Sequence, residues 1–223
     1  MGLVSPKWGL ARRSPCYAAR VTRERFAPGK SPFHLKGVVY RGVIEYVERT
    51  LAGGRGQLAA ALRDEPLRSF FAQPFLDGSW YDALPLEALC QAIAQLERRP
   101  MLELVRDLSR AQVRRDTRGV YKLLLKLVSP ETVLERAPRA AQQYFDFVTS
   151  TSDRLDERRF RLTGSGIPDF LAPVYMAMTE SFLLHALELA GAREPVHRWL
   201  EPRPAGERHG VPLVKVEREI VWR

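Results

Sequence analysis

Apolar side chains recur every three or four positions through most of residues 33–142. In 85–98 the spacing is carried by Leu86, Leu89 and Ile93, which would share one face of a helix. The pattern predicts these helices: one ending at Arg49 after an extended entry at Phe33–Val39, then Gln57–Arg63, Leu67–Ala72, 85–98, 101–117, Gly119–Val128, one starting at the capping sequence Ser129-Pro130-Glu131, and 171–190 closed by Gly191.

After about Gln142 polar and apolar residues alternate, which is typical of strands with one solvated face. Glycine and polar clusters separate the alternating segments. The predicted strands are Tyr144–Val148 and Arg158–Leu162, joined by a Ser/Thr/Asp turn and followed by a break at Gly164-Ser165-Gly166, and then Pro195–Leu200 and Val211–Trp222, separated by a polar turn at Pro204–Gly210.

The order of these elements is helices first, then strand, strand, helix, strand, strand. Segregation of this kind favours an α+β fold: an N-terminal helical lobe followed by a C-terminal antiparallel sheet crossed by one long helix. We expect a basic flexible leader at 1–31 and a single α+β domain at 32–223. Within that domain the helical lobe would span 32–142 and the sheet-plus-helix lobe 143–223.

The net charge of +9 is concentrated in the predicted leader. Residues 1–31 hold seven basic side chains and one acid, whereas the remaining 192 residues hold 28 basic and 25 acidic side chains. A nucleic acid or another anionic surface is therefore a candidate partner for the leader, while the nearly balanced body gives no such signal.

The remaining composition favours a cytoplasmic protein. No apolar run reaches the length of a membrane span, and the N-terminus lacks the apolar core of a secretory signal. Cys16 and Cys90 are far apart, and we expect two free thiols.

The sequence contains no pattern of catalytic or metal-binding residues that we recognise. His34, His185, His197 and His209 never lie at metal-ligand spacing, and we expect each to be structural or exposed. Glycine clusters at Gly53–Gly56 and Gly164–Gly166 lack the spacing of a phosphate loop or a nucleophile elbow. We therefore expect no catalytic residue, no metal site and no cofactor, and the sequence assigns no cofactor-binding residue.

Several short motifs carry a resemblance to known proteins over about residues 33–223. They are Lys36-Gly37-Val38-Val39-Tyr40-Arg41, Ser79-Trp80-Tyr81, the helix start at 85–89, Gly119-Val120-Tyr121-Lys122 before Ser129-Pro130, Leu187–Ala192, and the terminal Val221-Trp222. The chain resembles the myxobacterial paralogous family of cytoplasmic proteins, which is distantly similar to haem nitric-oxide/oxygen-binding (H-NOX) domains and to 4-vinyl-reductase domains.

The H-NOX resemblance implies the same order of helical lobe and crossed sheet, with a cavity between them lined by helices such as 85–98 and 101–117. The resemblance does not imply that this chain binds haem. That family holds iron through a histidine between the lobes, and residues 35–184 contain no histidine. The family's Tyr-x-Ser-x-Arg clamp is also absent. Other axial donors on these helices are Cys90, Met101 and Tyr121, and His185 lies on the wrong element.

Four functions follow as hypotheses. The first is a non-catalytic sensory or regulatory module that binds an apolar small molecule or a protein partner between lobe and sheet. The second is a haem-based gas sensor, and the third is a binder of nucleic acid or an anionic surface through the leader and the arginine-rich face of 106–115. The fourth is an enzyme, for which the residues give weak support. A homo-oligomer stays open.

Overall fold

The protein was analysed as a computed structural model, which describes residues 26–116 and 128–223. The predicted helix at Gly119–Val128 and most of the predicted leader lie outside these residues. The described helices are α1 Gly37–Thr50, α2 Gly54–Ala61, α3 Glu65–Ala72, α4 Pro85–Leu96, α5 Met101–Asp116, α6 Pro130–Tyr144 and α7 Ala172–Leu189. The strands are β1 His34–Lys36, β2 Trp80–Asp82, β3 Thr149–Asp156, β4 Arg159–Pro168, β5 Val196–Trp199, β6 Arg203–Arg208 and β7 Val211–Val221.

Helices α1 to α5 form the helical lobe around an aromatic cluster. Tyr40 on α1 is fully buried, and its ring stacks on Phe75 with centroids 4.6 Å apart. Its hydroxyl donates a hydrogen bond to the Asp82 carbonyl at 2.6 Å, which satisfies the buried polar group. The apolar spacing that predicted α4 is also confirmed, because Leu86, Leu89 and Ile93 are all buried.

The segment before β1 is attached to this lobe through Asp82. The Asp82 carboxylate is buried and accepts hydrogen bonds from the backbone N–H groups of Gly29 at 2.8 Å and Ser31 at 3.2 Å, and from the Ser31 hydroxyl. Phe26 packs against the same core. Contacts with the lobe therefore begin by residue 26, inside the range predicted to be the leader.

The C-terminal lobe is a five-stranded antiparallel sheet with β7 at its centre. The order is β3-β4-β7-β5, and β6 pairs with the first half of β7 while β5 pairs with its last four residues. Val216, Arg218 and Ile220 alternate with Glu217 and Glu219, so the first three face the helices. The antiparallel sheet predicted for this half of the chain is confirmed.

Helix α7 crosses the sheet and packs against α5. It ends at the predicted position, where Gly191 adopts a φ of +93°. By length and composition, Asp169–Leu189 is the one stretch of the described residues that could cross a membrane, and 56% of it is buried within the fold. That burial is the behaviour of a core helix.

Two strand predictions were wrong in the same place. Tyr144 ends α6, and the apolar residues Phe145, Phe147 and Val148 fill the core beside α7 and β1 instead of forming a strand. The polar segment after them, predicted as a turn, is strand β3. As an edge strand it pairs only with β4 among the described strands, so most of its side chains are exposed and no apolar alternation marks it.

Two further turns proved to belong to strands. The predicted break at Gly164–Gly166 lies inside β4, where a bulge shifts the register between Gly164 and Ile167. Gly166 has a φ of +87°, and a Cβ there would lie 2.5 Å from the Phe147 carbonyl oxygen. The polar turn at Pro204–Gly210 is mostly strand β6, and only His209-Gly210 form the turn.

Candidate functional site

A partly open cavity of about 410 Å³ lies where the helical lobe meets the sheet. Pockets of roughly 300–1,000 Å³ are the usual size for small-molecule sites. Helices α1, α4, α5, α6 and α7 and the five-stranded sheet contribute to its wall. The main described apolar contributions are Val39 and Val43 from α1, Leu86 from α4, Val105 and Leu108 from α5, Val133 and Ala141 from α6, Leu162 and Val216 from the sheet, and Met178, Phe182, Leu183 and Ala186 from α7.

The cavity forms because the apolar faces of these helices and of the sheet point towards a common space. The α4 and α5 faces found from helical spacing do contribute to the wall, as the resemblance implied. The complete wall could not be found from spacing, because it joins residues more than 100 positions apart in sequence, such as Val43 on α1 and Phe182 on α7.

Polar side chains form a minority of the lining, and several of them meet at the sheet, whereas Ser109, Gln112, Thr132 and the exposed Arg136 belong to the helices. The Tyr175 hydroxyl is hydrogen-bonded to the Ser150 side chain, and burial raises the pKa of Tyr175. Ser150 is the β-sheet partner of Gly164, and a Cβ on Gly164 would lie 3.2 Å from the Tyr175 hydroxyl oxygen. Arg218 lies on β7 two residues beyond Val216, the partner of Gly164, and therefore on the same face of the sheet. These residues form the polar corner, which we define as Arg218, Tyr175, Ser150 and Trp199.

Arg218 is the exceptional residue of this corner. Only 7% of it is exposed, and burial lowers its pKa to about 10 despite the nearby Tyr175 and Glu180. Its guanidinium lies 4.8 Å from the centroid of the Trp199 ring. Sequence analysis did not select Arg218, although the alternation of Val216 and Ile220 with acidic residues already assigns it to the apolar face of β7.

No histidine among the described residues lines the cavity. His34 pairs with Asp146 at 2.6 Å, His197 with Glu180 at 3.2 Å, and His185 with Glu188 at 3.5 Å. His209 lies in the turn between β6 and β7. The four histidines are therefore dispersed, and no group of three or more His, Cys, Asp or Glu within 26–116 and 128–223 could hold a metal ion.

The cavity's other donors do not fit a haem iron. Cys90 lines it, but burial and the charge of Glu87 raise the pKa of this thiol to about 12, so it stays protonated and is a poor ligand. Burial likewise disfavours the phenolate of Tyr175. Met101 is half-buried at the start of α5, away from the lining residues, and Tyr121 lies outside the described part of the chain. Cys90 is a free thiol, as predicted.

The arginine-rich face of α5 makes ion pairs with acidic neighbours. Arg106 pairs with Glu180 at 3.5 Å, Arg110 with Asp107 at 3.2 Å, and Arg115 with Glu45. Such pairing leaves less positive charge for a nucleic acid, which favours the interpretation of this face as a solvated surface.

Comparison with solved structures identifies H-NOX domains. A structure solved to probe heme distortion in the H-NOX family has a TM-score of 0.61 at 9% identity, over 85% of this chain and 95% of that one. The Fe(II) unliganded H-NOX protein from K. algicida has a TM-score of 0.59 at 10% identity, over 85% and 97%. An oxygen-binding H-NOX domain related to soluble guanylate cyclases has a TM-score of 0.58 at 9% identity, over 85% and 95%.

No protein family and no curated protein matches the sequence. The resemblance to the myxobacterial paralogous family therefore stays a prediction. At identities near 10% the structural likeness shows the fold and nothing finer. The chain has an H-NOX-like α+β fold, as the order of its elements predicted.

Proposed function

We propose that the protein is a non-catalytic sensory or regulatory module that binds an apolar small molecule in the cavity between helical lobe and sheet. The observation that carries the proposal is the cavity itself: about 410 Å³, partly open, bounded by both lobes and lined mainly by aliphatic and aromatic side chains. Apolar surface facing such a space gains contacts and loses hydration when an apolar ligand enters.

The position of the cavity supports a regulatory role. Its wall includes α6, whose Thr132, Val133 and Ala137 face the sheet and α7. A ligand would therefore contact elements of both lobes at once, and its binding free energy would depend on how the lobes are packed. That dependence is the physical requirement for a ligand to shift a conformational equilibrium, which a partner protein could then detect.

Haem-based gas sensing is the function that the structural neighbours suggest, but the donors around this cavity argue against it. The described lining offers no histidine, and its one thiol, Cys90, stays protonated. The fold therefore accounts for the shape of the cavity, whereas the side chains that line it decide which kind of ligand it can bind. Binding of nucleic acid through residues 1–31 stays a prediction, because residues 1–25 lie outside the described part of the chain.

Titration with a neutral fluorescent probe, N-phenyl-1-naphthylamine, tests the proposal. We expect saturable one-to-one binding to the wild-type protein. Ala186→Phe, on the buried side of α7, would fill part of the cavity and weaken binding at least about tenfold, whereas Ala60→Phe, on the exposed side of α2, would not. Melting curves would verify that both variants fold. Absence of saturable binding to the wild type, or equal binding by both folded variants, would contradict the proposal.

A further inference from the structure

The alternation of β7 places a positive charge where an apolar side chain would be expected. Val216 and Ile220, two positions away on either side, are fully buried core residues, and Arg218 lies between them on the same face. Arginine is rarely buried to this extent without a paired acid, because removing a charge from water costs free energy unless another charge compensates for it.

No such acid is paired with Arg218 among the described residues. The one carboxylate among the described residues that raises its pKa is Glu180, which only partly offsets the effect of burial. The Glu180 oxygens already contact His197 Nε2 at 3.2 Å, Trp199 Nε1 at 3.4 Å and Arg106 Nε at 3.5 Å. The Trp199 ring gives the guanidinium a favourable face, but a cation–π contact offsets only part of the lost hydration.

On the outer face of the same sheet, in contrast, arginine side chains are paired with a carboxylate. Glu219, the next residue on β7, contacts Arg159 Nη2 at 2.6 Å and Arg161 Nη2 at 2.7 Å. The acids of β7 therefore lie on the solvated face, and on the cavity face of the sheet Arg218 has no paired acid among the described groups. Arg218 lines the cavity together with two hydroxyl groups, those of Tyr175 and Ser150.

We infer that the cavity binds an elongated apolar monocarboxylic acid whose carboxylate is held by Arg218, with the hydroxyl groups of Tyr175 and Ser150 beside it. The inference rests on the proposed function and names its ligand class. The planar guanidinium can donate two parallel hydrogen bonds to a carboxylate. One negative charge balances the one positive charge of the corner, whereas a dianionic phosphate would leave one buried charge without compensation.

The apolar remainder of the lining suits the body of such an acid. Away from the polar corner the wall is built largely from residues such as Val43, Leu86, Leu108 and Phe182, which offer an alkyl chain apolar contacts. The Gln112 amide and the exposed Arg136 also belong to the helical side of this wall. Binding would transfer the chain out of water and would neutralise the buried cation in a single step.

Isothermal titration at pH 8 with dodecanoate, dodecanol and dodecylamine, each below its micelle concentration, tests the inference. We expect the wild-type protein to bind dodecanoate at least about tenfold more tightly than dodecanol, and dodecylamine most weakly. Arg218→Met should abolish the preference for the acid while retaining dodecanol binding. Arg161→Met, which removes one positive charge from the opposite face of the sheet, should leave the preference intact.

The outcomes separate this inference from the proposed function. Equal affinities for dodecanoate and dodecanol in the wild type, or a preference that survives in Arg218→Met, would overturn the role of Arg218 and leave the apolar site standing. Failure of all three probes to bind would overturn both. If Arg218→Met does not fold, the wild-type comparison and Arg218→Lys, which should keep the preference, decide the matter.

Discussion

The Arg218 guanidinium lies 4.8 Å from the centroid of the Trp199 ring, and the two residues are direct partners in the pairing of β5 with β7. The indole nitrogen of Trp199 is itself hydrogen-bonded to Glu180 at 3.4 Å, so the ring is fixed in place. Because both residues line the cavity, the contact positions a buried cation on the sheet side of a mainly apolar space. The proposed ligand site therefore requires a fold that keeps the polar corner rigid. Several of the interactions that stabilise this fold can be tested separately.

Asp82 is expected to be the main polar support of the helical lobe. Its carboxylate accepts hydrogen bonds from the backbone of Gly29, Ser31 and Leu84, the last at 2.9 Å. Asp82→Ala would leave these buried donors unpaired and should lower the free energy of unfolding by about 3 kcal/mol in urea titrations. Glu135→Ala, on the exposed side of α6, should change it by less than about 0.5 kcal/mol. Similar effects in the two variants would contradict this role.

Glu87 should make the protein less stable as the pH rises from about 4.5 to 7. Burial, reinforced by the charge of Asp169, raises the pKa of Glu87 to about 7. Below pH 4.5 the Glu87 carboxyl is protonated in both the folded and the unfolded chain, so its burial carries no charge penalty. Between pH 4.5 and 7 only the unfolded chain ionises freely, so the free energy of unfolding falls as the pH rises.

Glu87→Gln removes this ionisation. We expect Glu87→Gln to be more stable than the wild type at pH 8. The difference between their free energies of unfolding should be about 2 kcal/mol larger at pH 8 than at pH 4.5. Glu103→Gln, on the exposed face of α5, serves as the matched control and should show no such pH-dependent difference. A difference between Glu87→Gln and wild type that is constant with pH would show that Glu87 ionises normally in the folded protein.

Strand β7 and Trp222, which follows it, are expected to be indispensable. Trp222 is 6% exposed, and its ring stacks on Phe160 with centroids 5.9 Å apart. Trp222→Ala should cost about 3–5 kcal/mol of stability, and truncation after Gly210, which removes the central strand, should give insoluble protein. Trp80→Ala is the matched control, because Trp80 is 42% exposed and contacts mainly the Lys36 ammonium. A soluble truncated chain with a cooperative melting transition would refute the sheet's dependence on β7.

Haem should not bind in a defined way. We expect the purified protein to be colourless, and a haemin titration to give no one-to-one spectral shift near the Soret band, because the described lining supplies no imidazole and its thiol has a pKa of about 12. A sharp stoichiometric shift that disappeared in His185→Ala would contradict the assignment of His185 to the surface of α7, where it pairs with Glu188.

The sequence predicted those parts of the fold whose burial is one-sided. Helices α4 and α5 and strand β7 have a regular apolar face, so their spacing was sufficient. Helix α7 is buried on several sides, and its length and apolar composition indicated it instead. Strands β3 and β6 were missed because their side chains are mostly exposed, and Ser, Thr, Asp and Gly in such positions are equally typical of turns. Phe145–Val148 was assigned to a strand because buried loop residues and buried strand residues have the same composition.

The candidate site was harder to predict than the fold. Its lining joins α1, α4, α5, α6, α7 and the sheet, and no local pattern contains that arrangement. Arg218 is the exception. Once β7 is recognised as a strand, Arg218 falls on the same face as Val216 and Ile220, and a charge on an apolar face is a signal that can be found without a structure.

Native mass spectrometry of the full-length protein, purified from the cells that make it, tests most directly whether the cavity is a ligand site. The account predicts that the wild-type protein carries one small organic molecule, lost on denaturation, whose mass matches an elongated monocarboxylic acid. That extra mass should be absent from Ala186→Phe and present in Ala60→Phe. Identical native and denatured masses for the wild type, together with no saturable binding of N-phenyl-1-naphthylamine, would contradict the account, as would an added mass that persists unchanged in Ala186→Phe.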